Sequence, residues 1–276
     1  VPEQLVAPGL FVALLGVAVL ALGREWLNAA RAMGLWVTAV AVAFALGSRL
    51  LRSRLPPPLS RAVPAHETRA WANAALPLVL VGGLQYANQE VGLLMLGAIA
   101  GAEAAGVYRV ATRGADVVVS VLAALNLALA PTFAQLYATG DMRRLERLAS
   151  IGTRLGLIAS LPVVVSFGVF GSWILGTIFG SDFARGSTAL AILGAGQLAN
   201  AAAGPVGLLL NMTGHERDAA LGVWWASIVN MILSALLIPM WGIEGAAVAS
   251  ATSVIARNIT LAIRVRNRLG LRTFLV

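Results

Sequence analysis

The sequence predicts an all-α membrane protein, a polytopic bundle of about eight transmembrane helices. Of its 276 residues, 59% are apolar and only 12% are charged, and the mean hydropathy is +0.84. A soluble domain has about 25% charged residues, roughly twice this share. The apolar residues also occur in runs near the ~20 residues that a helix needs to cross a bilayer. These runs lack the period-two alternation of barrel strands, so we expect helices to form the spans.

Eight apolar runs between helix-breaking residues are the predicted spans. They cover residues 5–22, 34–51, 72–98, 104–130, 151–170, 186–210, 219–238 and 243–263. Pro77, Pro162 and Pro205 lie inside three of these runs. Because proline lacks the amide hydrogen that a helix requires, we expect a kink at each of them.

The arginines predict the orientation of the chain. Fourteen of them lie in the loops on one side of the predicted bundle, within 49–69, 143–154, 217 and 264–272. Only Arg24, Arg31 and Arg185 lie on the other side. By the positive-inside rule the arginine-rich side is cytoplasmic, so both ends of this chain are expected inside. Topology therefore accounts for most of the net charge of +8, and we expect no nucleic-acid partner.

A proline-rich segment predicts two lobes. The widest connection on the arginine-rich side contains three successive prolines, Pro56 to Pro58, and then Pro64. Such a segment is a stiff, extended spacer. We therefore divide the chain into residues 1–55, a linker at 56–69 and a second lobe at 70–276. Since the chain starts without methionine and enters a span almost at once, we expect the N-terminal part of a longer protein to precede it.

The fourth predicted span carries charged residues on one face. Arg109, Thr112, Arg113, Asp116 and Ser120 fall within an arc of about 100° on a helix. Each arginine or aspartate near the centre of a span costs roughly 2.5–3.5 kcal/mol in lipid. This face is therefore expected to look into protein or water. It either lines a polar passage, or its charges only pair with neighbours and hold helices together.

Two other spans carry polar residues that complete the candidate site. In the third span Gln85, Asn88 and Gln89 share a face, and Glu90 is expected level with Arg109 and Arg113. A pair between Glu90 and one of these arginines fits their depth.

In the sixth span Gln197 and Asn200 share a face with small residues such as Gly194, Ala201 and Gly204. That face either packs closely or lines a cavity. In the last span Ser250, Ser253 and Arg257 lie on one side, with Arg257 close enough to the end of the span to reach the interface.

Catalytic and metal-binding patterns are missing from the sequence. There is no cysteine, and His66 and His215 each lack the second histidine of a zinc motif. The glycine-rich match at 194–199 lies inside a span with no strand before it, which is the wrong context for a nucleotide. We therefore expect no catalytic residues, no metal, no cofactor and no enzymatic activity.

Several spaced blocks, covering about residues 70–270, resemble the polysaccharide and O-antigen flippases of Wzx type. These flippases belong to the multidrug/oligosaccharidyl-lipid/polysaccharide exporter superfamily. The blocks are Leu94 to Gly97, Gly106 to Arg109, Ala130-Pro131, Gly140-Asp141, Gly196 to Leu198, Gly204-Pro205 and Asn211 to Arg217.

The resemblance implies two six-helix lobes that move an undecaprenyl-pyrophosphate-linked oligosaccharide, as in lipopolysaccharide synthesis, across the bacterial inner membrane by alternating access. It also implies that this chain holds the last hairpin of the first lobe and the whole six-helix second lobe. Expected partners are the lipid-linked oligosaccharide, the lipid bilayer, and a polysaccharide polymerase or glycosyltransferases.

The predicted substrate-binding residues combine the polar faces described above. They are Arg109, Arg113, Asp116, Glu90, Gln85, Asn88, Gln197 and Asn200. Two other functions stay open at this point. A drug or cation antiporter of the same superfamily would need a carboxylate-centred ion site. A polytopic membrane glycosyltransferase would need acidic or histidine residues gathered in a large outer loop, whereas the outer loops predicted here are short.

Overall fold

The computed structural model describes residues 29–54 and 90–271, and the chain divides into two compact units, 1–73 and 74–276. The predicted span at 5–22, most of the span at 72–98 and the linker at 56–69 lie outside the described residues. The predicted division into lobes therefore stays a prediction.

The described part of the first unit is one helix, α1 (Ala29–Arg54). It contains the span predicted at 34–51, and its apolar stretch runs over Met33–Arg49. Its polar side chains bond within the helix: the Thr38 hydroxyl donates to the carbonyl of Leu35 at 2.9 Å, and the Ser48 hydroxyl donates to that of Phe44 at 2.7 Å. These bonds make the helix compatible with an apolar surrounding.

Helices also form the described part of the second unit, and none of its residues between 90 and 271 is in a strand. The helices are α2 (Glu90–Ala100), α3 (Ala102–Ala138), α4 (Met142–Phe179), α5 (Ser187–Ala203), α6 (Val206–Met212) and α7 (Glu216–Leu269), with a 3₁₀ turn at Ser181–Gly186.

Three described helices are long and apolar enough to cross a membrane, namely α3, α4 and α7. The bent pair Ser181–Ala203 and Val206–Met212 makes a fourth candidate. At 37 residues, α3 is about 55 Å long and exceeds the bilayer core of about 30 Å. The helices α3 and α4 thus extend beyond the spans predicted at 104–130 and 151–170, because α3 continues through Pro131 and the arginine-rich segment at 143–154 is the first part of α4.

The 54-residue α7 is a hairpin of two antiparallel limbs, 216–241 and 243–269. Gly242 between them has a non-helical backbone, with φ 52° and ψ −120°. Residues far apart in sequence meet across the limbs. Asp218 bonds Arg264, and a Cβ on Gly222 would lie 2.5 Å from Leu261. Because such contacts are impossible along a straight helix, α7 contains both spans predicted at 219–238 and 243–263, each in one limb.

The sixth predicted span, 186–210, is broken where the kink was expected. Helix α5 ends at Ala203, α6 begins at Val206, and the pair bends by 47°. Gly204 has φ 77°, and Pro205 provides no amide to continue the helix. The kink at Pro205 is confirmed. Pro162 lies inside the continuous helix α4, and Pro77 lies outside the described residues.

Two apolar clusters form the core of the second unit, one towards each end of the bundle. One surrounds Leu96, Val118, Leu190 and Ala246, and the other surrounds Phe133, Leu145, Leu209 and Val265. The second cluster lies at the end where the turns at 139–141 and 213–215 meet the end of α7. We call it the arginine-rich end, since eight of the described arginines lie within 143–154, 217 and 264–268.

Ion pairs tie helices together at both ends of the unit. At the arginine-rich end, the buried carboxylate of Asp218 accepts from Arg264 Nη1 at 3.1 Å and from Arg268 Nε at 2.9 Å, joining the two limbs of α7. At the opposite end, Arg185 in the 3₁₀ turn pairs with Glu103 at the start of α3. These three ion pairs thus join the two limbs of α7 at one end of the unit, and the 3₁₀ turn to α3 at the other.

Candidate functional site

The candidate site is a cavity of about 590 Å³ within the second unit. Helices α2, α3, α5 and both limbs of α7 line it, beside the apolar cluster around Leu190, with which it shares Tyr108, Ala115 and Leu193. Its charged and polar lining residues are Glu90, Tyr108, Arg109, Thr112, Arg113, Asp116, Gln197, Ser227, Asn230, Ser250, Ser253 and Arg257. Such a lining inside an otherwise apolar bundle is the kind of surface that accepts a hydrophilic ligand.

Glu90 and Arg109 form a close ion pair on the wall of the cavity. One guanidinium nitrogen of Arg109 donates to both carboxylate oxygens of Glu90, at 2.7 and 2.9 Å. The turn at Gly101 sets α2 and α3 antiparallel, which brings the two residues to the same depth. The expected pairing of Glu90 with Arg109 or Arg113 is therefore confirmed for Arg109.

Arg113 and Asp116 pair along the same helix. Their side chains are three residues apart on α3 and meet at 3.3 Å, with 63% and 52% of each exposed on this unit. An exposed pair of this kind adds only about 0–1 kcal/mol to stability. These two charges are thus available for a ligand at little energetic cost.

Tyr108 connects α3 to the second limb of α7 beside the cavity. Its hydroxyl lies 2.8 Å from Ser250 Oγ and 3.4 Å from the carbonyl oxygen of Ala246, and its ring is buried. Gly92 on α2 faces this contact, and a Cβ there would lie in ordinary van der Waals contact with the tyrosine hydroxyl, at 3.7 Å. A larger residue on α2 would crowd that hydroxyl.

A cluster of amides holds Arg257 at the cavity. Asn200 Oδ1 accepts from Asn258 Nδ2 at 2.9 Å and from Arg257 Nη2 at 3.4 Å. Asn200 Nδ2 in turn donates to Gln197 Oε1 at 3.2 Å. Arg257 was expected close enough to the end of its span to reach the interface, and this stays a prediction; in the structure its half-buried side chain lines the cavity.

A second, smaller cavity of about 40 Å³ lies at the break between α5 and α6. Asn126 and Asn200 line it together with Gly204 and Pro205. This volume suffices for one or two water molecules. The Gly204 amide donates to Ala201, so the carbonyl of Asn200 loses the helical partner that it would have in a continuous helix. The break therefore leaves the backbone carbonyl of Asn200 without its helical partner, beside a cavity that holds one or two water molecules.

The structure gathers most of the predicted site residues. Glu90, Arg109, Arg113, Asp116 and Gln197 line the large cavity, while Asn200 touches the small cavity and bonds to Gln197. Gln85 and Asn88 lie outside the described residues. Whether these side chains bind a substrate stays a prediction.

Sequence reasoning missed the contribution of the first limb of α7. Asn230 is buried on the cavity wall, accepts a 3.3 Å hydrogen bond from Ser234 Oγ, and lies one turn from Ser227. The signal was present in the sequence, because residues 227, 230 and 234 follow the i, i+3, i+7 spacing of one helical face. Tyr108 was missed as well, although it precedes Arg109 in one of the family-like blocks.

Among the residues that the structure describes, no group of three or more histidine, aspartate or glutamate side chains could hold a metal ion. The described carboxylates of the cavity each lie next to an arginine instead. The expectations of no metal and no cofactor stay predictions.

The fold and the cavity define a multi-pass helical membrane protein with a polar interior site. Residues 37–187, just over half of the chain, match the family described as "Polysaccharide biosynthesis protein". The chain belongs to this family. The resemblance to polysaccharide flippases seen in the sequence is thereby confirmed.

Two further comparisons agree with this assignment. The chain is 26% identical over 173 residues to the probable low-salt glycan biosynthesis flippase Agl15 of the archaeon Haloferax volcanii; the match covers 63% of this chain and 36% of that protein. The structure is also similar to the crystal structure of a mutant MATE protein, with a TM-score of 0.70 and 13% identity, over 97% of this chain and 61% of the other. This chain thus spans less than two thirds of each protein, and the MATE likeness shows the fold alone.

Proposed function

We propose that the protein is a transporter, not an enzyme, and that it moves a lipid-linked oligosaccharide across a membrane by alternating access. The carrier is undecaprenyl pyrophosphate and the membrane is the bacterial inner membrane. Membership of the polysaccharide biosynthesis family and the name of the archaeal relative support a glycan passenger.

The polar cavity is the observation that carries this proposal. A glycan needs hydrogen-bond donors and acceptors to replace its lost water, and twelve charged or polar side chains line the cavity. A pyrophosphate needs positive charge. Three arginines and two carboxylates give the lining a small positive balance. Because cavities of about 300–1,000 Å³ hold drug-sized ligands, this one accommodates part of an oligosaccharide.

The orientation of the chain is part of the proposal. The arginine-rich end faces the cytoplasm, and both chain ends lie on that side. Residues 1–55 belong to a first lobe, 56–69 form a cytoplasmic linker, and 70–276 form a second lobe.

Flipping in proteoliposomes tests the proposal. The whole protein is reconstituted with a fluorescent undecaprenyl-pyrophosphate oligosaccharide, and a membrane-impermeant glycosidase then reports how much glycan is exposed outside over time. We expect transfer faster than in protein-free vesicles. The variants Arg109→Ala and Arg113→Ala should slow it, whereas Arg147→Ala, an exposed arginine away from the cavity, should leave it unchanged.

Three results would contradict this function. The first is a wild-type rate equal to that of empty vesicles, and the second is wild-type transfer in both cavity variants. The third is equal transfer of a fluorescent cationic drug that competes with the glycan, which would favour the antiporter alternative.

A further inference from the structure

The three arginines of the cavity differ in their partners. Arg109 meets Glu90 and Arg113 meets Asp116, so each of these has a carboxylate beside it. Arg257 has no carboxylate partner among residues 29–54 and 90–271, and its hydrogen bond goes to the amide oxygen of Asn200 at 3.4 Å. An amide oxygen orients a guanidinium without neutralising its charge. Within these two described ranges, no carboxylate compensates the positive charge that Arg257 brings to the cavity wall.

The amides that hold Arg257 are themselves fixed. Asn258 is buried, and its Nδ2 donates both to Asn200 Oδ1 and to the carbonyl of Val254, each at 2.9 Å. Asn200 is thereby tied to the second limb of α7, on which Arg257 lies. Gln197 extends this chain of amides along α5 to the large cavity.

Close helix packing keeps this arrangement rigid. Helix α5 approaches the second limb of α7 so closely that a Cβ on Gly196 would lie 2.9 Å from the Cα of Ala251. The side chains of Asn200 and Asn258 meet further along the same interface. This backbone contact sets the separation of the two helices at which Asn200 reaches Asn258 and Arg257.

We propose that Arg257 forms an anion subsite for the phosphate-bearing group of the passenger, and that Asn200 and Asn258 are the positioning residues of this subsite. The planar guanidinium has five donors, and Asn200 engages only one of its nitrogens. The remaining donors suit phosphate oxygens. This assignment rests on the proposed function, and it places the main anion contact on the last helix instead of on Arg109 or Arg113.

Binding of a short-chain isoprenyl pyrophosphate to the detergent-solubilised whole protein tests the assignment, with the matching isoprenyl alcohol as the uncharged probe. Arg257→Gln keeps a polar, hydrogen-bonding side chain, although a shorter one, and removes the charge. We expect it to weaken pyrophosphate binding about ten- to a hundredfold and to leave alcohol binding unchanged. The matched control Arg147→Gln should bind both probes like the wild type.

Two substitutions at one position separate positioning from a merely structural role. Asn200→Ala removes the amide oxygen that accepts from Arg257 and should weaken pyrophosphate binding several-fold. Asn200→Asp keeps an acceptor for Arg257 and Asn258 but neutralises the guanidinium, so binding should weaken further than in Asn200→Ala. A structural role alone predicts the reverse order, because aspartate would hold the arginine more firmly. Asn200→Asp also keeps the test decisive if Arg257→Gln fails to fold.

The outcomes distinguish this inference from the proposed function. Unchanged pyrophosphate binding in Arg257→Gln, or stronger binding in Asn200→Asp than in Asn200→Ala, would overturn the subsite even if the wild-type protein flips the lipid-linked glycan. Conversely, binding that depends on Arg257 in a protein that flips no glycan would support the subsite and count against the flippase function.

Discussion

The substitution Gly245→Ala tests the hairpin that builds the cavity. Gly245 is buried three residues after the reversal at Gly242. A Cβ there would lie 2.6 Å from the carbonyl carbon of Leu237, 3.0 Å from the nitrogen of Ile238, and closer still to the Leu237 oxygen. These are backbone atoms, so no side-chain rotation can relieve the overlap.

Whether Gly245→Ala lowers or raises the unfolding midpoint decides between a hairpin and a continuous helix. In the hairpin the limbs must separate by almost 1 Å, and overpacking of this kind costs about 3 kcal/mol. Because alanine has a higher helix propensity than glycine, it stabilises the helix by about 1 kcal/mol, so the net loss of stability is roughly 2 kcal/mol. For a chain of this size that loss lowers the unfolding midpoint by about 4–8 °C. In a continuous helix Leu237 and Gly245 would lie about 12 Å apart, and the same substitution would raise the midpoint.

Thermal unfolding of the purified protein in detergent measures this effect. Gly168→Ala is the matched control, because Gly168 lies inside α4 and a Cβ there would meet no atom within 4 Å. We expect the control to keep or raise the midpoint. A midpoint for Gly245→Ala at or above that of the wild type would refute the hairpin and, with it, the placement of both limbs on one cavity.

The remaining predictions concern the core and the charges. Phe133→Ala should lower the free energy of unfolding by about 3–5 kcal/mol in denaturant titrations, because the ring is fully buried; Leu127→Ala, at a side chain 79% exposed, should change it little. Asp218→Asn should lower the free energy of unfolding by about 1.5–3 kcal/mol in the same titration, since this buried carboxylate accepts hydrogen bonds from two arginines of the second limb. Unchanged stability would contradict the idea that Asp218 holds the two limbs of α7 together. Glu90→Gln should strengthen isoprenyl pyrophosphate binding roughly fivefold by releasing Arg109, and weaker binding would argue against that competition.

The faces of the helices could be predicted from sequence because the helical period fixes them. Arg109, Thr112, Arg113 and Asp116 were expected on one face of α3, and all four line the cavity. The break at Pro205 could also be predicted, because proline lacks the amide hydrogen that a continuous helix requires. Helix ends were less predictable, since α3 continues past residue 130 through Pro131, and α4 begins in the charged segment before residue 151 and continues past residue 170.

The partners across helices could not be predicted, because periodicity does not set the rotation of one helix against another. Depth alone allowed Glu90 to meet Arg109 or Arg113. The structure shows the pair with Arg109, which depends on how α2 is rotated against α3. The expectation for Arg257 rested only on its distance to the end of the span. In the structure its guanidinium bonds to the side chain of Asn200, which is distant in sequence.

Photo-crosslinking tests most directly whether the passenger enters this cavity. A photoreactive amino acid is placed at Ser227, which lines the cavity, or at Trp225, which is 54% exposed on the opposite face of the same limb. Both proteins are irradiated in membranes with lipid-linked oligosaccharide labelled in its sugar. The account predicts a labelled product at position 227, reduced by excess unlabelled passenger, and little at 225. Equal labelling at both positions, or labelling at 225 alone, would contradict it.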